Sequence, residues 1–210
     1  MEAKCVRAAL PIAFALPGDI LRPMTGSGET SAQRLAAIPG MQRVPNGKLE
    51  LFMLRRFLSP EECHALIELI DRDRRPSTIA DPNGDDNFHT SETCDLDHAD
   101  PPVAVLDARL ADLSGIDPAH AEPLQGQRYE VGQEFKAHTD YFEPGGADYE
   151  QYCAVSGQRT WTFMIYLNEV AAGGGTRFRE IDKIVQDVAI ATKVAAAIDG
   201  ALTASAKLFA

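Results

Sequence analysis

The sequence predicts an α+β domain in which helices come first and strands follow. Two amphipathic helices with clear start signals lie before residue 120, and from Leu124 onward the chain turns to short β-branched and aromatic runs. A block of helices followed by a block of strands leads to a layered arrangement in which the helices cover one face of a sheet. The 210 residues suffice for one domain with a core of its own and a short extension.

Residues 1–47 are expected to form a loose extension. Lys4 and Arg7 precede an apolar stretch from Ala8 to Leu16 that faintly resembles a secretion signal, but Glu2, Pro11 and the lack of a small-residue cleavage site argue against one. A disordered extension or a displaced start is the expectation there. Residues 17–47 are rich in Gly, Pro, Ser and Thr without a sustained period. Order is expected from Lys48, where Leu49, Leu51 and Met53 alternate as in a strand.

The first helix starts at Ser59, with Pro60 in the first helical position and Glu62 completing a Ser-x-x-Glu capping box. Cys63, Leu66, Ile67 and Ile70 then form one apolar stripe. A second helix starts at Asp100-Pro101, carries Val103, Leu106, Leu110 and Leu113, and stops at Gly115. Residues 76–98 between them are polar, with a turn at Asp81-Pro82-Asn83-Gly84. Further on, Gln127–Val131 and Glu134–His138 are expected as two short strands, or one bent strand, about Gly132. A polar loop over 141–159 leads into Thr160–Leu167, the strongest strand pattern in the chain. Trp161, Phe163, Ile165 and Leu167 should face the core, opposite Tyr166. Gly173–Phe178 is expected as a glycine turn entering another strand.

Composition excludes several function classes. A net charge of -11 argues against nucleic-acid or anionic-membrane binding, which need a basic surface. No apolar run is long enough to span a membrane. The four cysteines (Cys5, Cys63, Cys94 and Cys153) are scattered without a Cys-x-x-Cys pair, so zinc and redox motifs lack their spacing. Reduced thiols in the cytoplasm are the expectation.

His138-Thr139-Asp140 is the candidate for chemistry. In an extended chain, residues two apart point to the same side, so an imidazole nitrogen and a carboxylate oxygen meet in one place. These are two of the three donors in a 2-His-1-carboxylate face, which holds Fe(II) and leaves positions open. Taken alone, the triplet reads more readily as a surface or capping pair.

Its surroundings add to that reading. Arg128–Asp140 closely resembles the Tyr-x-x-Gly-Gln-x-Phe-x-x-His-x-Asp pattern of prolyl 4-hydroxylase-type 2-oxoglutarate/Fe(II) dioxygenases. Met164–Asn168 and Gly173–Phe178 also match, in order, and Phe57–Cys63 with Thr90-Ser91 resembles the family's N-terminal half. The resemblance covers roughly residues 50–185. It implies a double-stranded β-helix (jelly-roll) core supported by N-terminal helices, with iron bound by His138 and Asp140. It also implies that Tyr129 and Tyr166 hydrogen-bond the cosubstrate 2-oxoglutarate, a task that suits a phenol; each is otherwise a half-buried core tyrosine. Thr176 is a candidate pocket residue or, equally, a strand-packing threonine. The implied reaction decarboxylates 2-oxoglutarate to succinate and hydroxylates a substrate, often a prolyl residue in a peptide. Ascorbate dependence is implied by the family alone.

This chain also departs from the pattern. The family's third ligand is a later histidine, followed by a Lys or Arg that pairs with 2-oxoglutarate; here no histidine follows His138. His89 is the least implausible substitute among His64, His89, His98 and His120, all upstream. Lys136, Arg177 and Arg179 are weaker candidates for an anion partner. Residues 187–210 contain nine alanines and read as a divergent helical or irregular tail in place of closing strands. The expected organisation is therefore an extension (1–47), a dioxygenase domain (48–186, helical support over 48–120 and strands over 121–186) and a tail (187–210). The β-helix would be incomplete at its C-terminal end. A truncated, non-catalytic remnant acting as a peptide- or protein-binding module remains open beside the enzyme. A sugar- or small-ligand-binding β-sandwich is disfavoured by the motif order.

Overall fold

The computed structural model describes residues 30–79, 84–146, 148–154, 156–170 and 173–178, together with the backbone of strands at 12–13 and 202–209. In chain order the first elements are β1 (Ile12–Ala13), α1 (Ser31–Ala37), β2 (Gln42–Arg43), β3 (Phe52–Met53), α2 (Pro60–Arg72) and β4 (Arg75–Pro76). They are followed by β5 (Glu92–Asp95), α3 (Pro101–Ser114), a 3-10 turn (Pro118–His120), β6 (Gln125–Arg128), α4 (Tyr149–Cys153), β7 (Arg159–Tyr166) and β8 (Leu202–Phe209). The strands form two antiparallel sheets, one in the order β1-β3-β2 and one in the order β4-β5-β6-β8-β7. The architecture is thus α+β, as the sequence predicts. A closed jelly roll is not completed among the described residues.

Both predicted helices form where their end signals lie. At α2 the Ser59 hydroxyl accepts from the Glu62 amide, and the Glu62 carboxylate accepts from the Ser59 amide at 2.7 Å. This reciprocal pair satisfies two of the amides that a helix start leaves unbonded. At α3, Gly115 ends the helix in the left-handed conformation with φ 70°, which glycine adopts without strain. Leu66 and Ile70 of α2 share one core with Val103, Leu106, Leu110 and Leu113 of α3 and with Trp161, Phe163, Ile165 and Leu167.

Register shows which face of the larger sheet the helices cover. Gly126, Ala204 and Ile165 lie in one cross-strand row, and Gln127, Thr203 and Tyr166 in the next. Residues directly opposite in antiparallel pairs share a face, so Gly126 and Ile165 mark the core face, and Gln127 and Tyr166 mark the other. α2 packs so closely on the core face that a Cβ added at Gly126 would lie 2.2 Å from Ile70 Cγ1. Next to it, buried Arg128 pairs with Asp71 of α2 and with Glu130. Burial opposes the Arg128 charge most strongly, yet these two carboxylates hold its pKa above the ordinary value.

The structure corrects four expectations. Order begins by Thr30, well before Lys48: α1 carries its own capping box, Thr30 with Gln33, and buries Leu35 completely. The segment 134–138 is not a strand but extended chain with one isolated bridge, Phe135 to His89. Its neighbour 88–90 is too short to build a ladder. Residues 173–178 likewise carry no strand.

The alanine-rich tail is the fourth case. Leu202–Phe209 form β8, seated between β6 and β7. Leu202, Ala204, Ala206 and Leu208 alternate with Thr203, Ser205 and Lys207, a period of two that a count of alanines hides. The ladder edges of β6 and β7 supply the partners that make this segment a strand. The Lys4–Leu16 stretch (except β1), residues 17–29, Asp81-Pro82-Asn83 and residues 179–201 lie outside the described residues.

Candidate metal centre

β7 organises the candidate site. Trp161 and Phe163 are buried on the core face, so Thr162, Met164 and Tyr166 stand on the other. Four residues of strand place Thr162 and Tyr166 about 13 Å apart along that face. Asp140 binds at one end and Thr176 at the other.

At the first end, the Thr162 hydroxyl donates to Asp140 Oδ2 at 2.8 Å. Asp140 Oδ1 lies 3.6 Å from His138 Nε2. His138 Nδ1 is 2.7 Å from the Lys136 carbonyl oxygen. A carbonyl only accepts, so Nδ1 carries the proton and, in the neutral ring, Nε2 presents its lone pair. The two donor atoms therefore face each other, each on a side chain oriented by a second hydrogen bond. Two donors each about 2.1 Å from one divalent ion lie about 3 Å apart when cis, so a small closing movement would bring both onto one ion. The Asp140 side chain is 16% exposed and that of His138 32%, which leaves the pair within reach of solvent.

The segment bearing His138 is fixed by packing. The imidazole stacks on Phe135 with 3.7 Å between ring centroids. Main-chain bonds run from Lys136 to Phe88 and from Thr90 to Glu134. Lys136 Nζ pairs with Asp85 at 2.7 Å. That hydrogen bond is the leading cause that raises the lysine pKa and lowers the aspartate pKa. Lys136, a candidate for an incoming anion, is thus already matched with a carboxylate. Arg177 is exposed, and Arg179 lies outside the described residues.

His89 does not join the pair. It stacks on Phe135 at the same 3.7 Å, and one ring can carry two such partners only on opposite faces. The Phe135 ring therefore separates His89 from His138, and His89 Nε2 bonds Ser91 at 2.8 Å. His64 pairs with Glu68 on the α2 surface and His98 with Asp107 of α3. Among the described residues, no group of three or more His, Cys, Asp or Glu residues is placed to hold a metal. His138 and Asp140 fit two positions of a facial site, and the third position has no donor of these types in the described chain.

At the other end, the Tyr166 hydroxyl lies 2.6 Å from Thr176 Oγ1 and accepts from the Thr176 amide at 3.1 Å. Gly173 and Gly174, at φ 76° and 66°, turn the chain back to make this contact. Tyr129, one residue past β6, is buried and donates to Gln127 Oε1 at 2.9 Å. Gln127 and Tyr166 occupy the same cross-strand row through β8, so both tyrosines are tied to the face that bears Thr162. Thr162 and Gln127 are functional candidates that motif reading missed. Counting back by twos from Tyr166 reaches Thr162, but nothing local points to Asp140 as its partner.

Residues 124–201 match the family model of the 2OG-Fe(II) oxygenase superfamily. Probable prolyl 4-hydroxylase 3 of Arabidopsis thaliana is 35% identical over 132 residues, 60% of this chain and 44% of that protein. Prolyl 4-hydroxylase subunit alpha-3 of Mus musculus is 32% identical over 155 residues, 70% of this chain and 28% of that protein. Over these spans the chain is similar to prolyl 4-hydroxylases. It spans about half the length, or less, of these relatives. The matched family region contains His138, Asp140, Tyr129, Tyr166, Thr162 and Thr176, and it runs past Val185-Gln186 to residue 201.

Proposed function

We propose that this chain is a 2-oxoglutarate/Fe(II)-dependent dioxygenase of the prolyl 4-hydroxylase type, built on a double-stranded β-helix and acting on a residue of a peptide or protein. The observation that carries this reading is the His138–Asp140 pair, with Nε2 and Oδ1 3.6 Å apart inside the matched region. His138 and Asp140 would hold the iron, and Tyr129 and Tyr166 the 2-oxoglutarate. Bound iron supplies the coupling of 2-oxoglutarate decarboxylation to hydroxylation of a C–H bond, with ascorbate as the reductant the family implies.

The side chains have plainer tasks. The Lys136 carbonyl keeps the Nδ1 proton of His138 in place, so that Nε2 stays available as a donor. Tyr166 offers a phenol on an apolar strand, suited to a carboxylate that must be held while water is kept out. The Gln158 side chain clamps both backbone groups of Phe142, at 2.9 and 2.7 Å, and anchors the loop that leaves Asp140. Arg159 completes the clamp, pairing with Glu122 and covering the Phe142 ring at 4.2 Å. We place the protein in the reducing cytoplasm, since Cys63, Cys94 and Cys153 are free thiols.

The test is aerobic consumption of 2-oxoglutarate with added Fe(II). Succinate formed above background and lost in His138→Ala supports the enzyme. No turnover, with no iron bound, supports a non-catalytic binding module instead.

A further inference from the structure

A carboxylate offers two oxygens, and a metal held beside His138 would take one of them. We propose that Thr162 is the positioning residue that selects it. Its hydroxyl donates to Asp140 Oδ2 at 2.8 Å and so turns Oδ1 toward His138 Nε2, 3.6 Å away. This inference rests on the metal-centre reading and deepens it with a residue that no motif singles out.

Three features make this hydroxyl a dependable guide. Trp161 and Phe163 are locked in the core, which fixes the pleat and puts the residue between them on the site face. Thr162 is β-branched and so has little χ1 freedom to turn away. It is also only 4% exposed, and a buried hydroxyl is costly unless bonded.

Asp140 needs such a guide. It lies in irregular chain outside any ladder, with its carbonyl oxygen 3.4 Å from an Arg159 guanidinium nitrogen. The Lys136 carbonyl that orients His138 comes from two residues away, whereas Thr162 reaches Asp140 across 22 residues. A strand anchored in the core thereby sets the orientation of a ligand on irregular chain.

The test is a metal titration. Co(II) binding to the full chain is measured by equilibrium dialysis for wild type, Thr162→Val, Thr162→Ser, Thr162→Ala and His138→Ala, with a urea midpoint for each. Loss of a group that orients a metal ligand weakens affinity by about 10- to 100-fold, and Thr162→Val is expected in that range. Thr162→Ser keeps the hydroxyl and should stay within about threefold of wild type. Valine keeps the shape and suits a strand; if its urea midpoint falls, the serine and alanine variants give the same comparison. Equal affinity in wild type and Thr162→Val, with binding still lost in His138→Ala, overturns the role of Thr162 and leaves the metal centre standing. Binding that His138→Ala does not weaken overturns both.

Discussion

The Tyr166 hydroxyl already has a partner in Thr176, and the cosubstrate role assigned to it requires that oxygen to bond a carboxylate as well. Tyr166→Phe removes the hydroxyl and keeps the ring. A hydrogen bond to a charged group is worth about 1.5–3 kcal/mol, so KM for 2-oxoglutarate should rise by about tenfold or more. Initial-rate kinetics of succinate formation check this, and an unchanged KM would remove Tyr166 from the site. The cysteines make a second prediction at this scale. Burial raises the thiol pKa of Cys63, Cys94 and Cys153. Their thiolate fraction near neutral pH is therefore small, and a thiol reagent should modify them much more slowly in the folded chain than in urea.

Helix α2 supports the sheet from behind, and two of its contacts can be measured. Gly126→Val would drive side-chain atoms into Ile70, and overpacking of this kind costs about 1–3 kcal/mol. A lowered urea midpoint is the expected result. Glu62 adds a pH dependence. Its hydrogen bond to Arg109 is the largest cause lowering its pKa, followed by that to the Ser59 amide. A carboxylate pKa lowered by folding adds stability above the unfolded value of about 4.3, and this is lost as pH falls through the lower folded value. Glu62→Gln keeps the cap but loses the charge. The stability gap between wild type and this variant should therefore narrow from about pH 6 to about pH 3 in urea titrations.

The same scale explains what could be read in advance. α2 and α3 were legible because Ser59, Pro60, Glu62 and Gly115 act within one turn of chain. α1 has an equally local Thr30–Gln33 box, but the Gly, Pro, Ser and Thr around it masked the signal. β8 was hidden for another reason: its alternation becomes a strand only when β6 and β7 lie beside it, a long-range fact. His138 and Asp140 were legible as a pair two residues apart. Thr162 was not, since its partner lies far away in sequence, and the stack of His89 and His138 on Phe135 depends on a bridge that no sequence pattern announces.

For the whole molecule, the helical layer covers one face of the five-stranded sheet and leaves the other to Thr162, Tyr166 and the pair beside them. The central claim is that His138 and Asp140 converge on one metal ion. Anaerobic equilibrium dialysis against Fe(II), comparing wild type with His138→Ala and Asp140→Ala, tests it most directly. The prediction is one iron per chain in wild type and affinity at least about tenfold weaker in each variant. Equal iron binding by all three proteins would contradict it.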